Sequence, residues 1–265
     1  MRIRTTILEI CELYTQRYNE LSAPRLPIFV RAVWELIGAS SQAVREDGVV
    51  AQAIRFLSTN VKNGSHVELF RQTETLQALC ARIIVPSMAL RGMPCVFSPR
   101  DSANSWYVLE HEEEQFEDDP LEYIRRDLSL SVEGASSTRR HAASELIRAL
   151  MSIGLEAEVT HIIQSFVADA LRSYASNPAQ NWKDKDIAIY LFTSVSSLGV
   201  TASQGVTSTN LQVDVIKFFL ENVYGDLQTP RESAHPILQV DAIKFIYQFR
   251  YQVSFPEDIG VDMLT

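Results

Sequence analysis

The sequence predicts an all-α protein built as an α-α superhelix. Ten amphipathic segments of similar length follow one another along the 265 residues, and no convincing strand alternation separates them. The segments pair into units of roughly 40 residues, the period typical of HEAT-repeat and ARM-like solenoids. Because one helix pair cannot bury its apolar face alone, it needs the next pair stacked on it. We therefore expect residues 1–265 to form a single α-solenoid segment of about five HEAT-type helix pairs.

The first four helices are predicted by apolar residues that recur at intervals of three and four. The first stripe runs from Ile3 to Tyr18 and the second from Leu26 to Ile37. The third helix should end at Asn63-Gly64, since glycine commonly follows a helix C-terminus. The fourth holds Leu76 to Ile84 and should kink or end at Pro86, which lacks the backbone donor that a helix needs.

An irregular acidic insertion is predicted around residues 91–119. Its first part is rich in glycine, proline, serine and asparagine, and seven of the ten residues from Glu110 to Asp119 are acidic. A short helix is predicted from Pro120 through Leu128, and the preceding acids would favour its N-terminus. The alternative use of the acidic run is a surface for a basic partner.

The remaining helices carry the strongest apolar stripes. One should close at Gly154, the next contains Val159 to Tyr174, and Asn181 to Asp184 is predicted to cap the start of its successor. Residues 199–208 are predicted to be a loop of small residues. The last clear helix, Asp241 to Val253, lacks the second helix of its pair. We therefore expect the chain to be an internal segment of a longer solenoid that continues at both ends. Such ends should expose apolar surface and promote self-association.

Composition argues against several classes of partner. The net charge is -9 and the isoelectric point about 5.1, whereas a nucleic-acid-binding surface needs a basic stripe. No apolar run is long enough to span a membrane, so no membrane insertion is expected. Three scattered cysteines are too few for a disulfide framework and favour a reducing compartment.

The sequence predicts no catalytic, metal or cofactor site, and hence a protein that is not an enzyme. None of the five histidines is spaced with another histidine, cysteine or acid as metal ligands are. There is no glycine-rich phosphate loop, nucleophile elbow or kinase motif. We assign one set of aromatic side chains to the core: Phe218, Phe219, Phe245 and Phe249.

Three stretches of the chain resemble one family. They are Phe116 to Leu128 (FEDDPLEYIRRDL), Asn181 to Leu191 (NWKDKDIAIYL) and Val240 to Arg250 (VDAIKFIYQFR). In this order and with this helix spacing, they are similar to the middle repeats of the importin-α re-export receptors. These receptors are a branch of the importin-β (karyopherin) superfamily, and the similarity extends from about the first helix to the last.

The resemblance implies a HEAT-repeat nuclear transport receptor. Receptors of this family carry importin-α out of the nucleus together with Ran-GTP and shuttle between nucleus and cytoplasm. Nuclear pore proteins are further partners expected of a full-length parent. The alternative is a passive HEAT-repeat scaffold for complex assembly, whose partner would be permanent and insensitive to nucleotide. The repeats that grip Ran in the superfamily are missing, so this slice alone should not perform the export cycle.

The resemblance also suggests where a hinge or a partner contact lies. In the family, a middle repeat with an insertion acts as a hinge, and residues 116–140 match that repeat. Six residues become candidates by carry-over: Asp118, Asp119, Arg125, Arg126, Arg139 and Arg140. From the residues alone, these arginines could pair with the acids of Glu110 to Asp119 and hold the short helix Pro120–Leu128 against the repeat stack. Alternatively, they could form a recognition surface for a partner.

One stretch departs from the family's pattern. Residues 92–109 are longer than the family's short connection into the acidic motif, and they have no helical period. Two origins are open: a species-specific loop, or a gene-model artefact such as a retained intron. In either case we expect this stretch to be disordered or poorly packed.

Overall fold

The computed structural model describes residues 2–41, 46–64, 67–89, 117–121, 138–201, 205–230 and 235–253. The predicted disorder of residues 92–109 lies outside these ranges. The helices are α1 (Arg2–Arg17), α2 (Asn19–Ser22), α3 (Leu26–Ala39), α4 (Asp47–Lys62), α5 (Glu68–Arg71), α6 (Thr73–Leu79), α7 (Val85–Met88), α8 (Arg139–Leu150), α9 (Glu156–Ser176), α10 (Trp182–Ser196), α11 (Val215–Phe218), α12 (Tyr224–Gln228) and α13 (Pro236–Gln248). Two strands, β1 (Ser197–Thr201) and β2 (Gly205–Thr209), lie between α10 and α11.

The long helices form two layers. Helices α1, α4, α8, α10 and α13 lie side by side in the first layer, and each packs on the next. The second layer contains α3, the continuous pair α6–α7, α9 and the continuous pair α11–α12, and each member packs on the first-layer helix that follows it. Stacked layers of this kind confirm the predicted all-α superhelical fold class.

Helices α4 and α8 pack directly on each other, although residues 63–138 lie between them in the sequence. Among the described residues, no first-layer helix lies between these two. Asp47, the first residue of α4, lies against Arg139, the first residue of α8, so the two helices run parallel.

A continuous apolar core runs between the layers from Leu8 to Val253. Its C-terminal part is aromatic, as predicted for the four phenylalanines. The rings of Phe192 and Phe218 stack with their centroids 3.6 Å apart, and those of Phe245 and Phe249 are 4.7 Å apart. The Phe245 ring on α13 also lies 6.3 Å from Phe192 and 6.0 Å from Phe218. Aromatic contacts of this kind add to the area that each ring buries, so they hold α10, α11 and α13 together.

Local sequence signals set most helix ends. Gly64 and Gly154 adopt left-handed backbone angles, with φ of 68° and 85°. Gly64 follows the end of α4 as predicted, and Gly154 breaks the helical backbone within the π-helical turn Met151–Leu155, which joins α8 to α9. At Pro86 the helix does not end. A π-helical turn, Cys80–Ile84, joins α6 to α7 just before the proline, and the helix continues to Met88.

The predicted loop at residues 199–208 is wrong, because β1 and β2 pair there as an antiparallel hairpin with Val200 opposite Val206. Its small residues conceal the strand alternation, and tertiary contacts stabilise it. Val206 is buried, and the buried Asn210 side chain donates hydrogen bonds to Thr160 Oγ1 at 2.8 Å and to the Val195 carbonyl at 3.2 Å.

Two further local predictions need correction. Helix α10 starts after Asn181 as expected, but the Asn181 side chain does not cap it. Its amide donates instead to the Ser173 carbonyl at 2.8 Å, which ties the start of α10 to the end of α9. The last helix begins at Pro236 and ends at Gln248, and the chain then turns through Phe249 to Val253.

Candidate functional site

Two consecutive arginines begin α8 at the end of the segment that carries the insertion. The Thr138 side chain caps the helix by accepting a hydrogen bond from the backbone nitrogen of His141 at 3.1 Å. Arg139 is only 5% exposed and Arg140 only 1%. Both guanidinium groups therefore lie inside the helix stack.

Arg139 reaches back to the preceding first-layer helix. Its Nε lies 2.6 Å from Asp47 Oδ1 at the start of α4, and its Nη2 donates to the Ser41 carbonyl at 3.0 Å. Burial raises the pKa of Asp47, and the charge of Arg139 opposes that shift. Burial likewise lowers the pKa of Arg139, against the pull of Asp47 and Glu46. In both residues the effect of lost hydration on the pKa is larger than the effect of the opposite charge nearby.

Arg140 reaches forward to the next first-layer helix. Its two terminal nitrogens donate to the two carboxylate oxygens of Asp186 on α10, each at 2.8 Å. The guanidinium carbon also lies 3.9 Å from the centre of the Tyr190 ring. A planar fork that pairs with a carboxylate and stacks on an aromatic ring is a role for which lysine is a poor substitute.

These four residues, Asp47, Arg139, Arg140 and Asp186, form what we call the arginine bridge. It joins three consecutive first-layer helices, α4, α8 and α10, through two neighbouring residues. The Arg140–Asp186 pair is buried and the Arg139–Asp47 pair is mostly buried, so separating either pair of helices would break a poorly hydrated ion pair, which is costly. The bridge therefore resists a change of angle on both sides of α8.

A second buried ion pair links the two layers further along the chain. Lys185 Nζ on α10 lies 2.7 Å from Asp226 Oδ1 on α12, and 4.7 Å from the centre of the Tyr174 ring. Burial raises the pKa of Asp226, while the hydrogen bond and charge of Lys185 lower it. Burial also raises the pKa of Tyr174, and the nearby Asp226 adds to that shift.

The six candidate residues do not meet at one surface. Asp118 and Asp119 are exposed, Arg139 and Arg140 are buried, and Arg125 and Arg126 lie outside the described residues. Among the described residues, Arg139 pairs with Asp47 and Arg140 pairs with Asp186. Burial of these two arginines argues for a role within the stack, and a hinge role for them stays a prediction.

Sequence reasoning missed the acidic partners, Asp47 and Asp186, and the Lys185–Asp226 pair. One signal was available. Lys185 and Asp186 lie next to Ile187, Ala188 and Ile189 in a helix that is buried on most of its surface. Charged residues in such a helix are seldom fully buried unless they are paired. Their partners come from distant positions, which helical periodicity does not reveal.

Among the described residues, no three His, Cys, Asp or Glu side chains are grouped so that they could hold a metal ion. No described helix has both the length and the hydropathy needed to cross a bilayer.

Comparison with known proteins gives one consistent result. The sequence profile of the Cse1 family matches residues 1–96 and 104–261. Exportin-2 of Oreochromis niloticus is 38% identical over 252 residues, and Exportin-2 of Homo sapiens is 37% identical over 252 residues. Each match covers 95% of this chain and 24% of the relative, so the chain spans about a quarter of the length of these relatives.

The structural comparison agrees. The exportin Cse1 in its cargo-free, cytoplasmic state superposes with a TM-score of 0.81 at 34% sequence identity. The superposition covers 94% of this chain and 25% of the exportin. The profile leaves residues 97–103 unmatched, and these fall within the stretch where the sequence departs from the family's pattern.

Proposed function

Because the chain belongs to the Cse1 family, we propose that it is a segment of a nuclear export receptor of the karyopherin superfamily. The observation that carries this proposal is the superposition on an exportin over 94% of the chain. The described residues form stacked helices joined by buried ion pairs, and we find no group of catalytic side chains among them. This arrangement is typical of a protein that binds a partner along its length. We propose no enzymatic activity.

The proposed cargo is importin-α, carried together with Ran-GTP, and the proposed location alternates between nucleus and cytoplasm. A stack in which each helix pair contacts only its neighbours changes its curvature through small rotations at each contact. If importin-α and Ran-GTP both favour the same curvature, each ligand increases the affinity for the other. Such coupling would release both ligands together after GTP hydrolysis.

Nuclear pore proteins are proposed as further partners of a longer parent.

Within this function we propose that the region of the arginine bridge sets the local curvature. The bridge follows the segment that holds the insertion and constrains the α4–α8 and α8–α10 contacts. Asp118 and Asp119 are exposed carboxylates, whose charge would favour contact with a basic partner, and Arg125 and Arg126 are proposed to lie in the same hinge or contact region. Arg139 and Arg140 would act inside the stack.

A chimera tests the proposed function. The 252 residues of human Exportin-2 that match this chain are replaced by the matching residues of this chain, and the purified chimera is mixed with importin-α and Ran. Ran loaded with a non-hydrolysable GTP analogue is compared with Ran loaded with GDP. We expect the chimera to capture importin-α with the GTP analogue only, as unmodified Exportin-2 should in parallel.

A folded chimera that captures neither ligand would overturn the proposal. Capture of a partner that does not depend on the nucleotide would favour the alternative, a passive HEAT-repeat scaffold. Circular dichroism of the chimera separates a loss of function from a loss of helical structure.

A further inference from the structure

An Asn-Gly pair lies at the end of α4, and it is the single such pair in the sequence. Asn63 and Gly64 are both exposed. Because Gly64 carries no Cβ atom, its backbone nitrogen is less hindered than that of any other residue type. This nitrogen can reach the side-chain amide carbon of Asn63 and close a cyclic imide with it. The pair therefore combines a reactive amide with an accessible nucleophile.

We propose that Asn63 is a site of spontaneous deamidation. The Gly64 backbone nitrogen loses its proton and attacks the side-chain amide carbon of Asn63. A new carbon–nitrogen bond forms, and the amide nitrogen takes up a proton and leaves as ammonia. Water then adds to one of the two carbonyl carbons of the cyclic imide and opens the ring. The products are aspartate and isoaspartate, in which the backbone runs through the side-chain carbon atoms.

The folded structure restrains both reacting groups. The Asn63 side-chain nitrogen donates to the Thr15 carbonyl of α1 at 3.0 Å, and the Gly64 backbone nitrogen donates to the Val61 carbonyl at 3.1 Å. Loss of the Gly64 proton requires the second bond to break, and the attack requires Asn63 to turn its amide away from α1. The reaction therefore proceeds from the fraction of molecules in which the last turn of α4 is open, and it is faster in the unfolded chain.

Deamidation removes a tie between the first two helices of the first layer. The Asn63 amide nitrogen is a donor, whereas a carboxylate and the Thr15 carbonyl are both acceptors, so this hydrogen bond cannot form again. Asn63 also lines a groove with Glu12 of α1, which accepts hydrogen bonds from Gln52 at 2.6 Å and Thr59 at 2.8 Å. A new negative charge enters a groove that already holds the Glu12 carboxylate. The modification therefore loosens α1 from α4.

Ageing of the purified protein tests the reaction, and the result does not depend on the proposed export function. The protein is kept for several weeks at neutral and at mildly alkaline pH, in buffer and in urea, and is then mapped by mass spectrometry of its peptides. The mass increase of an amide that becomes an acid should appear first at Asn63. It should appear sooner at the higher pH, because the attacking nitrogen must lose a proton, and sooner in urea than in buffer.

Two controls accompany the ageing experiment. Asn177 is exposed but precedes Pro178, which has no backbone N–H to lose, so it should stay intact. In Asn63→Gln the longer side chain must close a larger ring, so labelling of the aged protein by an isoaspartyl methyltransferase should disappear. The inference is refuted if Asn63 stays intact in buffer after it has been converted in urea. Labelling that persists in Asn63→Gln would place the reaction at another residue and would also refute it.

Amide hydrogen exchange tests the consequence for α1. Asn63→Asp reproduces one of the two products, and Asn177→Asp adds the same charge in the turn after α9. Exchange in Arg2–Arg17 should rise about fivefold in Asn63→Asp, the effect of losing one hydrogen bond of ordinary strength. It should not change in Asn177→Asp. Equal exchange in α1 for the two variants would contradict the role assigned to the bond between Asn63 and Thr15.

Discussion

Arg140 and Asp186 face each other across the α8–α10 contact and form two parallel hydrogen bonds of 2.8 Å. The side chains are 2% and 5% exposed, so water does not screen the pair. Arg140 directly follows Arg139, which pairs with Asp47 on α4. One turn of α8 therefore controls its contacts with both neighbouring first-layer helices.

Replacing Arg140 with methionine should destabilise the protein strongly. The buried Asp186 carboxylate would then lose the guanidinium that donates two hydrogen bonds to it, and breaking buried pairs in this way costs about 3–5 kcal/mol. Urea unfolding followed by circular dichroism measures the loss. The double variant Arg140→Met/Asp186→Leu should recover much of it, because no lone charge remains.

The control for this experiment is an exposed ion pair on α9. Arg172 Nη1 lies 3.0 Å from Asp169 Oδ1, but the two side chains are 77% and 66% exposed. Arg172→Met should therefore change the free energy of unfolding by less than about 1 kcal/mol. Equal losses for Arg140→Met and Arg172→Met would contradict the role assigned to burial.

The two halves of the arginine bridge should be separable by amide hydrogen exchange. Arg139→Met removes the tie to α4, and Arg140→Met removes the tie to α10. A local loss of about 1.4 kcal/mol raises exchange roughly tenfold in the segment that opens. We expect Arg139→Met to raise exchange mainly in Asp47–Lys62, and Arg140→Met mainly in Trp182–Ser196. Uniform changes in both helices for both variants would show that the stack opens as one unit.

The helices were predictable because their signals are local. Asn63-Gly64 ends α4 and Gly154 separates α8 from α9 through backbone conformations that glycine adopts easily. The apolar stripes of α4 and α9 follow the helical repeat. The family was predictable for a related reason, since three short motifs keep their order and spacing along the chain.

The bridge and the hairpin were not predictable from local signals. Asp47 and Arg139 are far apart in sequence, and only the stacking of α4 on α8 brings them together. The hairpin depends on Val206 and Asn210, whose buried contacts come from α9, α10 and the turn after α13. Strand propensity is weak in such short, small-residue segments, and packing decides the structure.

His141 should make stability depend on pH. Burial lowers its pKa below the ordinary value of 6.5, Arg148 and Arg55 lower it further, and Glu145 opposes them. Protonation thus costs more in the folded state than in the unfolded chain. The contribution of His141 is fully present above the unfolded pKa and is lost as pH falls through the folded pKa.

Urea unfolding of the unmodified protein and of His141→Gln, from about pH 7 to about pH 5, measures this effect. The unmodified protein should lose stability relative to His141→Gln as the pH falls. Glu145→Gln should enlarge the loss, because it removes the carboxylate that favours the protonated ring. A difference between the unmodified protein and His141→Gln that stays constant over this range would contradict the prediction.

Gly205 at the start of β2 should tolerate no side chain, because it lies against the end of α13. A Cβ atom there would come 2.5 Å from the Gln248 carbonyl oxygen and 2.6 Å from Arg250 Nη1. Gly64 is the matched control, since its φ of 68° nearly equals the 70° of Gly205, while its Cβ would meet no atom of the described residues within 4 Å. Gly64→Ala should lower the free energy of unfolding by about 1–2 kcal/mol, the ordinary penalty of a left-handed alanine.

Gly205→Ala should lower the free energy of unfolding clearly more. It should also raise amide exchange at residues 247–253, where Gln252 Nε2 donates to the Val206 carbonyl at 2.8 Å. Equal losses for the two alanine variants would mean that the hairpin does not press on α13.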